Sequence, residues 1–369
     1  MANACQCGKA LSIIFSALAL LAAEMAGAST LTVTSIADSG QGTLRNALAV
    51  AAAGDMIDAR RVSGTIPLSS GELFVGKSVV IVGPGPAKLA VDGNGSNRVF
   101  HIAPGVVADL TGLTITNGVA PGDTLYPNYL GGGIYNDHAM LTVNDCVVTG
   151  NYAGDGGGLA NDGNSGSATL EIVNSVVTGN AVVVVDNNGG GIYDSDDRNI
   201  VPATGPGNLS LQVLNSTLTD NAAETIYVTS GLSSSTVEIG STILNAGASG
   251  STIASFSLVS NTITSLGYNL SSDDASGVLT HRTDLLDTDP LLGSLEDNGG
   301  PTFTCALLPG SPAIDQGKNF SQACYDQRGP GFVRTCNERS IPNARGGDGT
   351  DIGAFEVQAG KREIGNAPR

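Results

Sequence analysis

The sequence has no tryptophan, and aromatic residues fill 4% of its 369 positions. Charged residues fill 14%, where a globular chain carries roughly a quarter. That leaves too few for the polar faces of an ordinary helical bundle. Bases are scarcest: 17 Lys and Arg stand against 34 Asp and Glu, for a formal charge of −17, and lysine occurs only at Lys9, Lys77, Lys88, Lys318 and Lys361. A nucleic-acid binder needs a basic stripe to displace counterions, and none exists here. The same deficit argues against a polyanionic glycan or an anionic membrane surface as the main ligand. A hydrophobic share of 41% excludes wholesale disorder. What is plentiful is glycine, at 51 positions. Small and branched aliphatics with many tight turns make a β architecture.

The first nine residues carry one base, Lys9, and an apolar run follows from Ala10 to Ala23. The run is shorter than the ~20 residues that span a bilayer, and Ala26-Gly27-Ala28 fits a cleavage site. Residues 1–28 are therefore expected to be a cleaved export signal, and the mature chain to be extracellular or on the cell surface, with no membrane span. Cys5 and Cys7 leave with the signal; Cys146, Cys305, Cys324 and Cys336 stay. In an exported chain the near pair Cys324 and Cys336 is the natural disulfide candidate, closing a loop across Asp326-Gln327-Arg328. Two free thiols are the alternative, and Cys305 competes for either partner. No Cys/His spacing suggests zinc.

Self-similarity organises the middle. Segments 141–151, 170–180, 211–221 and 237–247 align without gaps. With columns numbered from zero, columns 0 and 2 are aliphatic: Leu141/Val143, Leu170/Ile172, Leu211/Val213 and Val237/Ile239. Column 4 is a turn former (Asp145, Asn174, Asn215, Ser241), and columns 5 and 7 hold a small residue and an aliphatic, as in Cys146/Val148 and Ser175/Val177. A weaker copy places Leu110, Gly112, Leu113 and Ile115 in columns 2, 4, 5 and 7. Two period-2 strands joined by a one-residue corner account for this pattern. Between copies recurs a second phrase, Gly131-Gly132-Gly133-Ile134-Tyr135-Asn136-Asp137, with relatives at 156–162 and 189–194. A constant core with variable excursions marks a solenoid, and three short strands per turn mark a parallel β-helix. Asn side chains stacked at the corners are expected to hydrogen-bond along the axis. Roughly eight coils between Arg61 and Leu270 predict a rod ~40 Å long. At its first end Thr43 N-caps a helix running to Ala53, with Leu44, Ala47, Leu48, Ala51 and Ala52 as its apolar stripe and Gly54 as its stop.

These residues resemble a family. Asp38 to Leu48, Gly54-Asp55, Gly64-Thr65-Ile66 and Ser78 to Gly85 look like the N-terminal cap and first coil of bacterial exported right-handed parallel β-helix proteins, and the Gly-Gly-Gly-Ile-Tyr phrases resemble polymorphic outer-membrane-protein repeats. Asp289 to Gly293, Asp297 to Thr302, Ala306 to Asp315, Asp326 to Gly329 and Asp351 to Glu356 are similar, in order, to the choice-of-anchor Q domain. Cys305 stands where that pattern usually has His, and the variable anchor is missing. The resemblance implies an all-β fold: signal 1–28, N-terminal helical cap 29–60, right-handed parallel β-helix 61–280, a C-terminal β/irregular cap domain 281–358, and a tail 359–369. It implies no defined reaction.

Right-handed β-helices resemble pectate lyases and polygalacturonases in fold, but fold does not assign function. Asp196-Asp197 and Asp273-Asp274 lack the Ser-His-Gly and Arg-Ile-Lys segments of polygalacturonase-like sites. A lyase acting on uronic acids needs a Lys or Arg base, and the repeats hold only Arg198, in a loop. His101, His138 and His281 belong to no nucleophile motif and read as structural or solvated. Asp194 to Asp197 offers oxygens for Ca²⁺ but reads first as a solvated turn, and Asp92 to Asn97 imitates an EF-hand opening without its distal Glu. Cys146 should be buried and inert. Asp315, Asp326, Arg328, Asp351 and Glu356 read as an ion-paired cap held by Arg328. No catalytic, cofactor or metal residue is assigned. The expectation is a non-enzymatic rod whose side loops 121–129, 181–188 and 194–208 contact a protein or glycan. The alternative is a carbohydrate-active lyase or glycoside hydrolase.

Overall fold

The computed structural model describes residues 27–120, 126–164, 166–183, 188–196, 207–231, 234–257, 261–338 and 340–358. Residues 1–26 of the expected signal, the tail, Asp197, Arg198 and most of the three side loops lie outside them. No described helix is long and apolar enough to cross a membrane.

The aligned columns become rungs. Strands of three sheets follow one another around each turn, nine in the first sheet (Thr30–Thr32 to Asn261–Gly267), eight in the second (Gly64–Pro67 to Leu270–Ser271) and seven in the third (Leu73–Val75 to Ile253–Ser257). All pairs within these sheets are parallel, as in the run Val148–Val177–Leu218. The fold is an all-β, right-handed parallel β-helix. Among the described residues it completes seven turns and begins another, one fewer than the sequence spacing predicts.

The corner between the first two sheets depends on column 4. Asp145, Asn174, Asn215 and Ser241 adopt φ of 50°, 49°, 47° and 51°, a left-handed conformation that short polar side chains tolerate. The bore is aliphatic on all three sides. Ile66, Val91, Ile115, Val148, Val177, Leu218 and Leu244 stack in register and are buried. Leu73, Phe100, Ile134, Leu159, Ile192, Ile226 and Ile253 do the same on the third sheet. Each buried aliphatic contributes ~1.5–3 kcal/mol, and Phe100 is the one aromatic in these two stacks.

Polar ladders run beside the apolar ones. Asn151 Nδ2 donates to Asn180 Oδ1 (2.9 Å), and Asn180 Nδ2 to Asn221 Oδ1 (3.0 Å). The same amide groups donate to the carbonyls of Ile115, Val148 and Val177. A second ladder joins Asn136, Asn161 and Asp194 at 2.7 Å per step. The triple-glycine phrase is steric: a Cβ on Gly157 would lie 2.3 Å from the Ala181 carbonyl oxygen of the next turn.

Both ends are covered. Thr43 Oγ1 accepts from Asn46 N, and the helix Leu44–Val50 buries Leu44, Ala47 and Leu48 against the first rungs. Ala51 is its C-cap and Ala52 is exposed, so the stripe is one residue shorter than expected. At the far end Ala275 and Leu279 plug the bore, with Val278 and Leu286 against them.

Beyond that plug the C-terminal region runs back along the flank of the solenoid as a strap. Its contacts begin where Arg345 O accepts from Tyr268 Oη (3.2 Å). They continue at Lys318 N to Ser241 Oγ (3.0 Å) and Gln327 Nε2 to Cys146 O (2.9 Å), and end at Ala87 N to Pro301 O (2.7 Å) in the second turn. The cause is an outward column of the second sheet that carries Val147, Val176 and Ile243 between threonines. Val147 and Val176 are buried against Cys305 and Ala354, and Ile243 against Leu307, Ile314, Ile352 and Phe355.

Candidate functional site

The register that stacks the core also stacks the outward side chains. On the first sheet Asp109, Thr142, Glu171, Gln212 and Glu238 occupy successive rungs of one column. The strap rises beside them, and between the two lies a cleft of about 280 Å³, near the lower end of the ~300–1,000 Å³ of small-ligand sites. Asp109, Asp145, Glu171, Asn174 and Gln212 line one wall, and Phe320, Tyr325 and Pro330 the other.

Hydrogen-bond acceptors dominate the polar wall. Asn174 Nδ2 donates to Asp145 Oδ1 (2.6 Å) and to Tyr325 O (3.4 Å), while the buried Asn174 Oδ1 has no partner. Thr111 Oγ1 donates to Asp109 Oδ1 (2.8 Å), and Gln212 Nε2 to Glu238 Oε2 (2.8 Å). Burial raises the carboxyls of Asp109 and Glu171 above their usual range, and it pushes Asp145 up to about 7 against the bond from Asn174. Asp109 and Glu171 stand two rungs apart, ~9.6 Å by strand spacing. None of the described lining residues is Lys or Arg. Such a surface suits a ligand rich in O–H donors and without negative charge.

The raised Asp145 has a testable consequence. A carboxyl whose folded pKa exceeds its unfolded value supports folding while protonated, and that support is lost as pH rises from ~4 through ~7. Asp145→Asn keeps the corner geometry that Asn174 and Asn215 already use. Its stability should match the wild type at pH 4 and exceed it at pH 8, by ~1–2 kcal/mol for a half-buried group in an open cleft. A thermal melt series across that range checks this.

The residues singled out in the sequence fall elsewhere. Cys146 is buried in its column, its thiol donates to Leu110 O (3.3 Å), and burial pushes it up to about 12, so it is inert as expected. Asp92 makes a local turn, accepting from Asn94 N (2.7 Å). Asp194 to Asp196 is not a solvated loop. It belongs to the strand Ile192–Asp196, where Asp194 is fully buried and accepts from Asn161 Nδ2 and Ser235 Oγ (2.6 Å). The ladder register overrides its turn-like composition, and both Asp194 oxygens are engaged there. Asp273 accepts from Thr252 N (2.8 Å) and Ala275 N (2.9 Å) at the end plug.

In the strap, Arg328 pairs with Asp326 (2.6 Å) between the rings of Phe355 and Phe332 at 3.7 and 4.1 Å. Asp315, Asp351 and Glu356 accept backbone N–H groups of Glu338, Val357 and Cys336. The ion pairing expected of Arg328 reaches only Asp326; Asp315, Asp351 and Glu356 are held by backbone N–H groups instead. Arg334, which sequence reasoning passed over, is fully buried beside it and donates to Gly353 O (2.5 Å). Cys324 and Cys336 flank a loop closed by the Tyr325–Val333 bridge and by Arg334 N donating to Cys324 O (3.0 Å). His281 is exposed and joined to Thr283 Oγ1 (2.7 Å). His101 and His138 lie together on the third sheet, in a network with Glu72 and Asp137.

No protein-family model and no curated protein matches the chain. Among solved structures, the crystal structure of pectate lyase Pel9A aligns over 90% of this chain and 98% of its own, at 14% identity and a TM-score of 0.31. A likeness that low bears on neither site nor function.

Proposed function

We propose that the chain is an exported, non-enzymatic β-solenoid that binds an uncharged glycan in the cleft between the first sheet and the strap. The observation that carries this reading is the acceptor-rich wall of Asp109, Asp145 and Glu171 opposite Phe320 and Tyr325. Sugar hydroxyls supply donors for Asp109 and Glu171, and aromatic faces take the apolar side of a pyranose ring. Polyuronates are repelled by the same carboxylates. The leader at residues 1–28 supports an extracellular or cell-surface location. The choice-of-anchor Q resemblance is proposed for residues 281–358, and the Cys324–Cys336 bridge for an oxidising compartment.

The test is calorimetric titration with neutral oligosaccharides and with oligogalacturonides. Saturable binding of a neutral glycan is expected, about tenfold or more weaker in Glu171→Ala, as loss of a charged hydrogen bond implies. Preference for the oligogalacturonide, or undiminished binding by the variant, overturns the reading. The second reading, a glycoside hydrolase, is favoured by the two-rung spacing of Asp109 and Glu171, close to the ~6.5–9.5 Å of inverting enzymes. Release of reducing ends that is lost in Glu171→Gln selects it.

A further inference from the structure

We propose that Asp137, His138 and Asp162, on the outer face of the third sheet, form a binding site for a first-row divalent metal ion of the Zn²⁺ class. One ligand atom from each of the three lies within 4.8 Å of the others, a spacing that a small closing movement brings to the ~4 Å spanned by two metal–ligand bonds. Asp137 and Asp162 stand on neighbouring rungs in register, and the left-handed backbone of His138 (φ 54°) turns the chain just after the strand.

Outer side chains fix one oxygen of each carboxylate, while the other oxygens and both His138 nitrogens are joined within the cluster, His138 Nε2 to Asn164 O, by bonds that an ion would replace. Asp137 Oδ2 is joined to His101 Nε2 (3.2 Å), whose Nδ1 is joined to Glu72 Oε1 (2.9 Å), while Asp137 Oδ1 meets His138 Nδ1. Asp162 Oδ2 accepts from the hydroxyls of Tyr135 (2.6 Å) and Tyr126, while Oδ1 accepts only from Asn164 N (2.9 Å). Outer groups that fix ligand oxygens in this way are characteristic of built metal sites.

A second observation points to a ligand. Asn164 is 4% exposed, lines the same small cavity as Asp162, and has neither a donor for its side-chain oxygen nor an acceptor for its nitrogen. A buried amide with both atoms unsatisfied costs ~1–3 kcal/mol per group. A bound ion and its water give it partners. One imidazole with two carboxylates and an amide oxygen favours Zn²⁺ or Co²⁺ over the all-oxygen shells of Ca²⁺. The ion's role is to staple adjacent turns, apart from the glycan cleft and independent of it.

The experiment uses tag-free, chelator-treated full-length chain titrated with Co²⁺ and, separately, Zn²⁺. One equivalent of Co²⁺ should give a visible d–d absorption band, displaced by Zn²⁺, and Zn²⁺ should raise the melting midpoint. His138→Gln and Asp162→Asn should abolish the band, Asn164→Ala should weaken Co²⁺ binding at least about tenfold, and His281→Gln should leave it unchanged. Absence of a stoichiometric band in the wild type, its survival in His138→Gln, or its loss in His281→Gln overturns the proposal. Should His138→Gln misfold by circular dichroism, Asn164→Ala, which removes no ion-paired group, decides by the same criterion.

Discussion

Replacing Asn180 with Ala should destabilise the solenoid by ~2–4 kcal/mol, read as a fall in the denaturant midpoint. The side chain makes four bonds inside a dry stack. Its Nδ2 donates to Val148 O (2.9 Å) and Asn221 Oδ1 (3.0 Å), and its Oδ1 accepts from Asn151 N (3.1 Å) and Asn151 Nδ2 (2.9 Å). Truncation strips Asn151 N of its side-chain acceptor and takes one bond each from Val148 O, from Asn151 Nδ2, which keeps Ile115 O, and from Asn221 Oδ1, which keeps Asn180 N; a buried group left unsatisfied costs ~1–3 kcal/mol and each further lost bond ~0.5–1.5 kcal/mol. Changing Asn151, Asn180 and Asn221 together should cost much less than three times the single change, because the amides that would be orphaned are removed as well. A triple variant that loses the full additive sum would show that the ladder is not a coupled unit.

Arg328→Ala is expected to be comparably severe, ~3–5 kcal/mol, but at a different place. Asp326 is wholly buried, and Arg328 is its bidentate partner. Removing the guanidinium leaves an uncompensated buried carboxylate and empties the space between Phe332 and Phe355. The strap should loosen first, so amide exchange should rise in residues 289–358 and at Val147 and Val176 before it rises at the bore. Arg328→Lys keeps the charge and loses the fork, and should fall between the two. Uniform exchange along the whole chain in Arg328→Ala would place the strap inside the same unit as the core.

Much of the fold was legible because a parallel stack repeats its chemistry. Leu141/Val143 and their counterparts reported the bore, Asp145 and Asn174 reported the corner, and Thr43 reported the helix start. The strap was not legible. Its segments are irregular and follow no period, and its docking surface is written only as a second aliphatic beside the first, Val147 before Val148 and Val176 before Val177. That doubled aliphatic breaks the in–out alternation and marks a strand covered on both faces. The cleft was hidden for the same reason, since Glu171 and Tyr325 are more than 150 positions apart. Asp194 was misread from composition, because Asp-Ser-Asp is turn-like until the stacking on Asn161 is known. His101 looked isolated in the sequence because the carboxylates that engage it, Glu72 and Asp137, come from other turns.

A stack in which each coil touches only its neighbours tends to fray from whichever terminus is weaker, losing one layer at a time. The backward-running strap removes that freedom. By gripping layers from Ala87 to Tyr268 it works like the spine of a ring binder: no leaf comes away until the spine has been opened, and early and late coils are joined in one all-or-none melting event.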